Sequence, residues 1–199
     1  MIAIIDYGMG NLRSVQKALE FIGQEAEITA SPLRLREASH VILPGVGAFA
    51  DAIGCLRQSG LDRALVEEAR KGKPVLGICL GMQLFYEASE ENGEHEGLGL
   101  MKGRVTRLRA PGLKVPHMGW NTLETRESPL FHAGENPCVY FVHSYAVAGV
   151  SGDTAASCVY GEVFTASSWH DNVLATQFHP EKSGGAGLEM LRRFAALRG

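Results

Sequence analysis

The chain is 199 residues long, 45% hydrophobic and 21% charged, with a formal net charge of −3. That length can bury a sizeable core and suits a single domain spanning 1–199. The charge gives no general pull toward nucleic acid, no apolar run reaches the roughly 18 residues of a membrane span, and no basic segment with a long apolar stretch opens the chain as a secretory leader would, so a cytoplasmic protein is expected. Residues 1–6, MIAIID, form an apolar run closed by Asp6 and Gly8, which predicts a buried parallel strand. From Asn11, apolar positions at Leu12, Val15, Ala18, Leu19 and Ile22 share one helix face, and Gly23 ends it. A short strand is expected at Ala26–Thr29, a short helix from Ser31-Pro32, and a strand at His40–Leu43 running into Pro44-Gly45-Val46-Gly47. Helices from about Ala48 and Leu61 lead to a strand at Pro74–Ile78.

This alternation predicts a parallel sheet covered on both faces. The pattern then changes. Gly103–Arg109, Val139–Tyr145, Thr154–Tyr160, Glu162–Trp169 and Val173–Gln177 read as strands, and Gly187–Leu197 as a closing amphipathic helix. The expected fold is therefore α/β: a mostly parallel central sheet with helices on both faces and an antiparallel or mixed β extension. The acidic segment 87–97 reads as the most exposed loop.

Four cysteines occur, at 55, 79, 138 and 158, without a CxxC pair or zinc-type spacing. Cys55, Cys138 and Cys158 read as small buried hydrophobes in a reducing compartment. Cys79 differs. It stands between Gly77 and Gly81 where an apolar strand meets a helix, a G-x-C-x-G turn with the geometry of a nucleophile elbow. Small neighbours permit a strained backbone there, the helix N-terminus favours a thiolate, and the N–H of Leu80 can face a developing oxyanion. Taken alone, the same pattern also describes a buried cysteine before a helix.

A thiolate nucleophile needs an acid–base partner. Of seven histidines, His179 follows a strand in "ATQFHPEKS" (175–183), where Pro180 stiffens the turn so that His179 and Glu181 lean to one side. Read alone, His179 is a turn histidine. Gly8 and Gly10 suggest a dinucleotide loop, but position 13 is Arg where a third glycine is needed, so no nucleotide cofactor is expected, and the scattered histidines suggest no metal site.

"GICLGMQ" (77–83) and "FHPEKS" (178–183) together resemble the class I, or triad, glutamine amidotransferases. "DYGMGNLRSV", "LPGVGAF", "PHMGWN" (116–121) and "YFVHSY" (140–145) narrow the resemblance, over essentially the whole chain, to the family of glutaminase subunits of imidazole glycerol phosphate synthases, in histidine biosynthesis. The resemblance implies that Cys79 attacks the side-chain amide of glutamine, that His179 activates it and protonates the departing ammonia, and that Glu181 orients His179. It implies an oxyanion hole from Leu80 and from Val46 and Gly47 of the PGVG strand, which Asn11 would brace. Glutamine contacts are implied at Gly45, Gln83, Glu91, Ser144 and Tyr145, with Gln83 one helical turn beyond Cys79. His143 reads as a structural or pocket residue and not as the base.

The implied partner is the (β/α)8-barrel cyclase subunit, in a heterodimer, with Asn11, His117, Trp120, Tyr140 and Lys182 at the interface and "PHMGWN" on a loop. The cyclase would use channelled ammonia and a phosphoribulosyl-formimino aminoimidazole carboxamide ribonucleotide to make imidazole glycerol phosphate and an aminoimidazole carboxamide ribonucleotide. Two rivals stand beside this reading. One is the glutaminase subunit of another amidotransferase, such as a pyridoxal phosphate synthase, which lacks the "HMGWN" stretch. The other is a non-catalytic thiol sensor on the same fold, which needs no His179 or Glu181.

Overall fold

Apolar strands and amphipathic helices alternate through the first half of the chain in a computed structural model that describes residues 1–198. In order they are β1 (Ile2–Ile5), α1 (Leu12–Phe21), β2 (Ala26–Thr29), α2 (Pro32–Glu37), β3 (His40–Gly45), α3 (Phe49–Gln58), α4 (Leu61–Arg70), β4 (Val75–Cys79) and α5 (Leu80–Phe85). Short strands β5 (Ala88–Ser89) and β6 (His95–Glu96) follow, then β7 (Arg104–Arg107), β8 (His117–Thr122), β9 (Glu124–Thr125), β10 (Cys138–His143), β11 (Tyr145–Ala148), β12 (Thr154–Tyr160), β13 (Glu162–His170) and β14 (Val173–Thr176). A 3₁₀ turn at Pro180–Lys182 precedes α6 (Gly184–Ala195).

The parallel strands run β2-β1-β3-β4-β14, and the sheet continues antiparallel through β13, β11 and β7, to which β5 adds in parallel before the β6 edge. Side-chain alternation splits the core into two layers. Ile2, Ile4, Leu76 and Ile78 point to one face, under Val15 and Leu19 of α1 and Leu191 and Phe194 of α6. Ala3, Ile5, Val41 and Val75 point to the other, under α2, α3, α4 and α5. No helix among the described residues is long and apolar enough to cross a membrane.

Three expectations are corrected. The run Val139–Tyr145 is not one strand: β10 pairs antiparallel with β8 in a separate two-stranded sheet, β11 joins the main sheet, and Ser144 marks the break. "PHMGWN" is accordingly no loop but mostly strand β8, whose burial alternates along its length while the apolar Met118 and Trp120 point outward and His117 inward, so hydropathy does not mark the buried face. Segment 87–97 folds as the β5–β6 hairpin, with Ser89 fully buried.

β3 also runs two residues longer than expected, through Pro44 and Gly45, which lie beside Ile78 and Cys79. The neighbour on its other side, β1, pairs with β3 only as far as Ile42. Pro44 therefore faces a side where no ladder bond is lost to its missing N–H. Its carbonyl, on that same side, accepts a hydrogen bond from the Tyr7 hydroxyl at 3.0 Å.

Candidate active site

Open parallel sheets gather ligands beyond the carboxyl ends of their strands. Here the ends of β3, β4 and β14 carry, side by side, the PGVG segment, Cys79 and, three residues past Thr176, His179. Cys79 ends β4 with φ 57° and ψ −110°, a strained conformation for a residue with a Cβ, costing on the order of 1–3 kcal/mol. The close packing of its neighbours maintains it. A methyl on Gly81 would sit 1.8 Å from the Leu43 carbonyl oxygen, and one on Gly77 would sit 2.8 Å from the backbone of Gly81 and Met82. The elbow is thus pressed against β3, and only glycine fits at those two points.

His179 is fixed from several directions. Its N–H donates to the Tyr140 carbonyl at 3.1 Å, and its carbonyl accepts from the Ser183 hydroxyl at 2.6 Å. Ser183 Oγ in turn accepts from the Tyr140 N–H at 3.1 Å, so the turn is stapled to β10. The imidazole Nδ1 donates to Glu181 Oε1 at 2.8 Å, both side chains being almost wholly buried. A carboxylate only accepts, which fixes the proton on Nδ1 and leaves Nε2 facing the cleft. Nε2 and Glu181 Oε2 have no hydrogen-bond partner within the protein. Burial opposes charging of the ring, but the hydrogen bond to Glu181 and attraction to Cys79 and Glu181 outweigh it and push the imidazole up to about 10.

Cys79 and His179 share a cleft of about 340 Å³, within the range of small-molecule sites. Its wall includes Val46, Gly47, Leu80, Gln83, Glu91, His143, Ser144 and Tyr145, so ten of the residues singled out in the sequence converge there; Pro116 and Val142 complete it. Gly45 lies behind the wall, where a methyl would sit 2.7 Å from Tyr7 Oη and 2.9 Å from both Gly81 N and Leu80 Cβ. Glu91 has a second engagement: Oε2 accepts from the Phe49 N–H at 2.8 Å, capping α3 from the β5–β6 hairpin. Gln83 donates through Nε2 to the Tyr145 carbonyl at 2.9 Å and to Gln177 Oε1 at 3.0 Å.

His143 lines the cleft as a neutral ring. Nδ1 donates to the Tyr145 carbonyl at 2.9 Å, and Nε2 accepts from His117 Nδ1 at 3.0 Å. Burial pushes His143 down to about 3 and His117 to about 4, so neither competes with His179 as the base.

The expected partner face divides. Trp120 is 57% exposed and meets Tyr140 edge-on at 6.0 Å, with Met118 and Lys182 also exposed. His117, expected on that face, is instead 3% exposed. It stacks on Tyr160 at 4.0 Å and Phe141 at 4.6 Å, because position 117 of β8 points inward. Asn11 is half-buried, and its Oδ1 accepts from Ser14 Oγ at 2.9 Å. Its side chain has no hydrogen bond to the PGVG segment; the brace there is the Tyr7 hydroxyl. Of the other cysteines only Cys158 is buried, whereas Cys55 is half-buried and Cys138 exposed at the start of β10; all four are free.

Sequence reasoning missed Tyr7, Gln177 and Ser183. All three stand inside motifs quoted from the sequence, but nothing in their spacing marks a role.

A family model described as glutamine amidotransferase class-I matches residues 3–197. Among curated proteins, imidazole glycerol phosphate synthase subunit HisH of Oceanobacillus iheyensis is 54% identical, covering 99% of each chain. The same-named subunit of Sulfurimonas denitrificans is 50% identical over 100% of this chain and 99% of its own. Among solved structures, PurLQS from Thermotoga maritima aligns with a TM-score of 0.77 over 98% of this chain and 96% of the other, at 20% identity, a likeness of fold alone.

Proposed function

The chain belongs to the class I glutamine amidotransferases, and from that premise we propose that it is the glutaminase subunit of an imidazole glycerol phosphate synthase, with Cys79 as its nucleophile. The observation that carries the proposal is the meeting of Cys79 with an imidazole whose proton is already fixed toward Glu181, in one cleft. Cys79 passes its proton to His179 Nε2 and Sγ bonds to the side-chain carbonyl carbon of glutamine, the oxyanion being held by backbone N–H groups of Leu80 and of the Val46–Gly47 segment. The C–N bond then breaks, His179 Nε2 gives its proton to the departing nitrogen, and ammonia leaves. Water, losing a proton to His179 Nε2, attacks the thioester carbonyl carbon, the C–S bond breaks, and glutamate leaves while Sγ is restored beside the charged ring. Glu181 keeps the ring oriented and stabilises its charged form through both steps.

Glutamine's own polar groups are met by Gln83, Glu91, Ser144, Tyr145 and the Gly45–Gly47 backbone. Ammonia is of use only if it escapes protonation in bulk water, so the chain docks on a cyclase subunit, a (β/α)8 barrel, through Trp120, Tyr140, Lys182 and Asn11, and passes ammonia on for ring formation. Free thiols suit the reducing cytoplasm, where we place the complex. The test is glutamate release from glutamine, with and without the cyclase and its nucleotide ligand, together with intact mass of the glutamine-treated chain. A trapped thioester on Cys79 and partner-stimulated release are expected. Neither glutamate nor adduct under any of these conditions would overturn the assignment.

A further inference from the structure

Two polar groups besides His179 approach the sulfur of Cys79. The Val142 carbonyl oxygen lies 3.9 Å away and accepts the thiol hydrogen. Gln177 Nε2 lies 3.8 Å away, on a side chain with no exposed surface at all. Which end of that buried amide faces the sulfur is decided by a backbone atom. The Tyr145 carbonyl can only accept, so the end of Gln83 that lies 2.9 Å from it is the NH₂. That same nitrogen lies 3.0 Å from Gln177, so the oxygen of Gln177 faces Gln83. The NH₂ of Gln177 is left pointing at Cys79. The Tyr145 carbonyl also receives the Nδ1–H of His143 at 2.9 Å, which holds it in place as the terminus of the chain of bonds.

We propose that Gln177 is a further member of the catalytic machinery: an N–H donor to the Cys79 sulfur that favours its thiolate, oriented through Gln83 by the Tyr145 carbonyl. The proposal rests on the reading of Cys79 as the nucleophile. Its physics lies in the difference between the two protonation states. The thiol satisfies itself by donating to Val142. The thiolate has nothing to donate and faces that carbonyl unfavourably, so it needs N–H groups.

The other groups around the sulfur differ in their effect. His179, backed by Glu181, favours the anion from the turn after β14. Tyr7 beyond β1 and His143 on β10 are held neutral by burial, and Glu91 on the hairpin side of the cleft opposes a second negative charge. His179 must later surrender its proton to ammonia, which removes its charge. His179 regains that charge when it takes a proton from the attacking water, whereas a neutral amide does not change during the cycle, so Gln177 presents the same N–H to the sulfur as it attacks and as it leaves.

The test uses the full chain and iodoacetamide, with modification of Cys79 read by peptide mass so that the other three cysteines do not interfere. Gln177→Met keeps the length and removes the donor; Gln177→Glu keeps the shape and replaces it with an acceptor. Both should move the pH midpoint of Cys79 alkylation up by about one unit, a roughly tenfold slower reaction below the midpoint, with the Glu variant shifted further. Cooperative thermal melts show that each variant is folded, and if Gln177→Met fails to fold, the isosteric Gln177→Glu carries the comparison. A folded variant with an unmoved midpoint overturns the proposal. Glutamate release by the unmutated chain and its cyclase is measured alongside. Its absence would overturn the reading of the site, whereas normal release with an unmoved midpoint removes Gln177 alone.

Discussion

Gly45→Ala is the most informative single methyl that can be added to this protein. The new Cβ would lie 2.7 Å from Tyr7 Oη and 2.9 Å from Gly81 N and Leu80 Cβ. Ordinary contacts are several tenths of an ångström longer, and two of the three atoms belong to the elbow itself. No side-chain rotation relieves them, so β3 and the elbow must part by about half an ångström or more. That separation falls between the two proposed sources of oxyanion donors, Leu80 and the Val46–Gly47 segment. Losing one such donor costs about 3–4 kcal/mol of transition-state stabilisation, or 10²–10³ in kcat, while overpacking costs about 1–3 kcal/mol of stability. Gly47→Ala offers the contrast. Its methyl meets only the tip of Met9 at 2.8 Å, which can swing aside, but the φ of +98° remains a strain on any Cβ. The assay is glutamate release by the cyclase-bound chain, with circular dichroism to follow folding. Gly45→Ala should lose at least tenfold more kcat than Gly47→Ala, and adding Tyr7→Phe should not restore it, since the two elbow contacts persist. A Gly45→Ala protein within a few-fold of wild-type kcat would refute the placement of the oxyanion hole between these segments.

Cys79→Ala should abolish glutamine-dependent synthesis yet leave cyclisation with added ammonium salts intact, measured as product formation by the reconstituted complex. His179→Asn should cost about 10²–10⁴ in kcat and Glu181→Gln less, because the glutamate holds the ring and does not itself exchange protons with substrate; equal and unimpaired rates in steady-state assays would contradict the triad. Away from the site, Arg193 grips Glu135 through two hydrogen bonds of 2.7 and 2.8 Å, which hold the Glu135 carboxyl down at about 2. A depressed carboxylate stabilises above its unfolded titration near 4.5 and loses that contribution as pH falls toward 2. Glu135→Gln should therefore lower stability by roughly 1 kcal/mol or less at neutral pH, with the gap to wild type in thermal melts closing as the pH approaches 2.

The parallel half of the fold was legible because its strands are short, apolar and cleanly punctuated. Ala26–Thr29 was placed to the residue, and Gly23 ends α1 with the positive φ its position demands. The second half was less so, for identifiable reasons. β10 and β11 abut with one residue between them, and a continuous hydropathy run cannot reveal that the chain changes sheet at Ser144. β8 carries Gly119 and exposed Met118 and Trp120, so its pattern resembles an interaction loop more than a strand. Trp120 stands out from the surface as a partner face requires, but His117, expected beside it, turns inward. Within "HMGWN" the sequence gives no phase for the alternation, and a slip of one position exchanges a buried histidine for an exposed one.

Legibility of the candidate site follows a similar line. Residues bearing reactive groups announce themselves, because thiols, imidazoles and carboxylates at sharp turns are rarely there for packing. Residues that act by orienting a hydrogen bond do not. Gln177, Tyr7 and Ser183 are ordinary in type and position, and their effect depends on the direction of N–H and O–H groups that only assembled neighbours fix. The departures from local rules point the same way. Cys79 holds a backbone conformation it would not choose, and His179 Nε2 and Glu181 Oε2 are buried without partners in a chain whose other buried side chains are almost all satisfied. An orphaned buried polar atom costs about 1–3 kcal/mol, and such costs persist where the surrounding packing over-determines them. Two of the four such atoms among the described residues, with Asp62 Oδ1 and His95 Nε2 the others, are the nitrogen and the carboxylate oxygen proposed to carry the chemistry, beside the strained backbone of the residue that bears the sulfur. Nε2 is unsatisfied in the resting protein because the partner it is shaped for is the substrate's departing nitrogen, so stability is conceded at the atoms that gain an interaction only as the reaction proceeds.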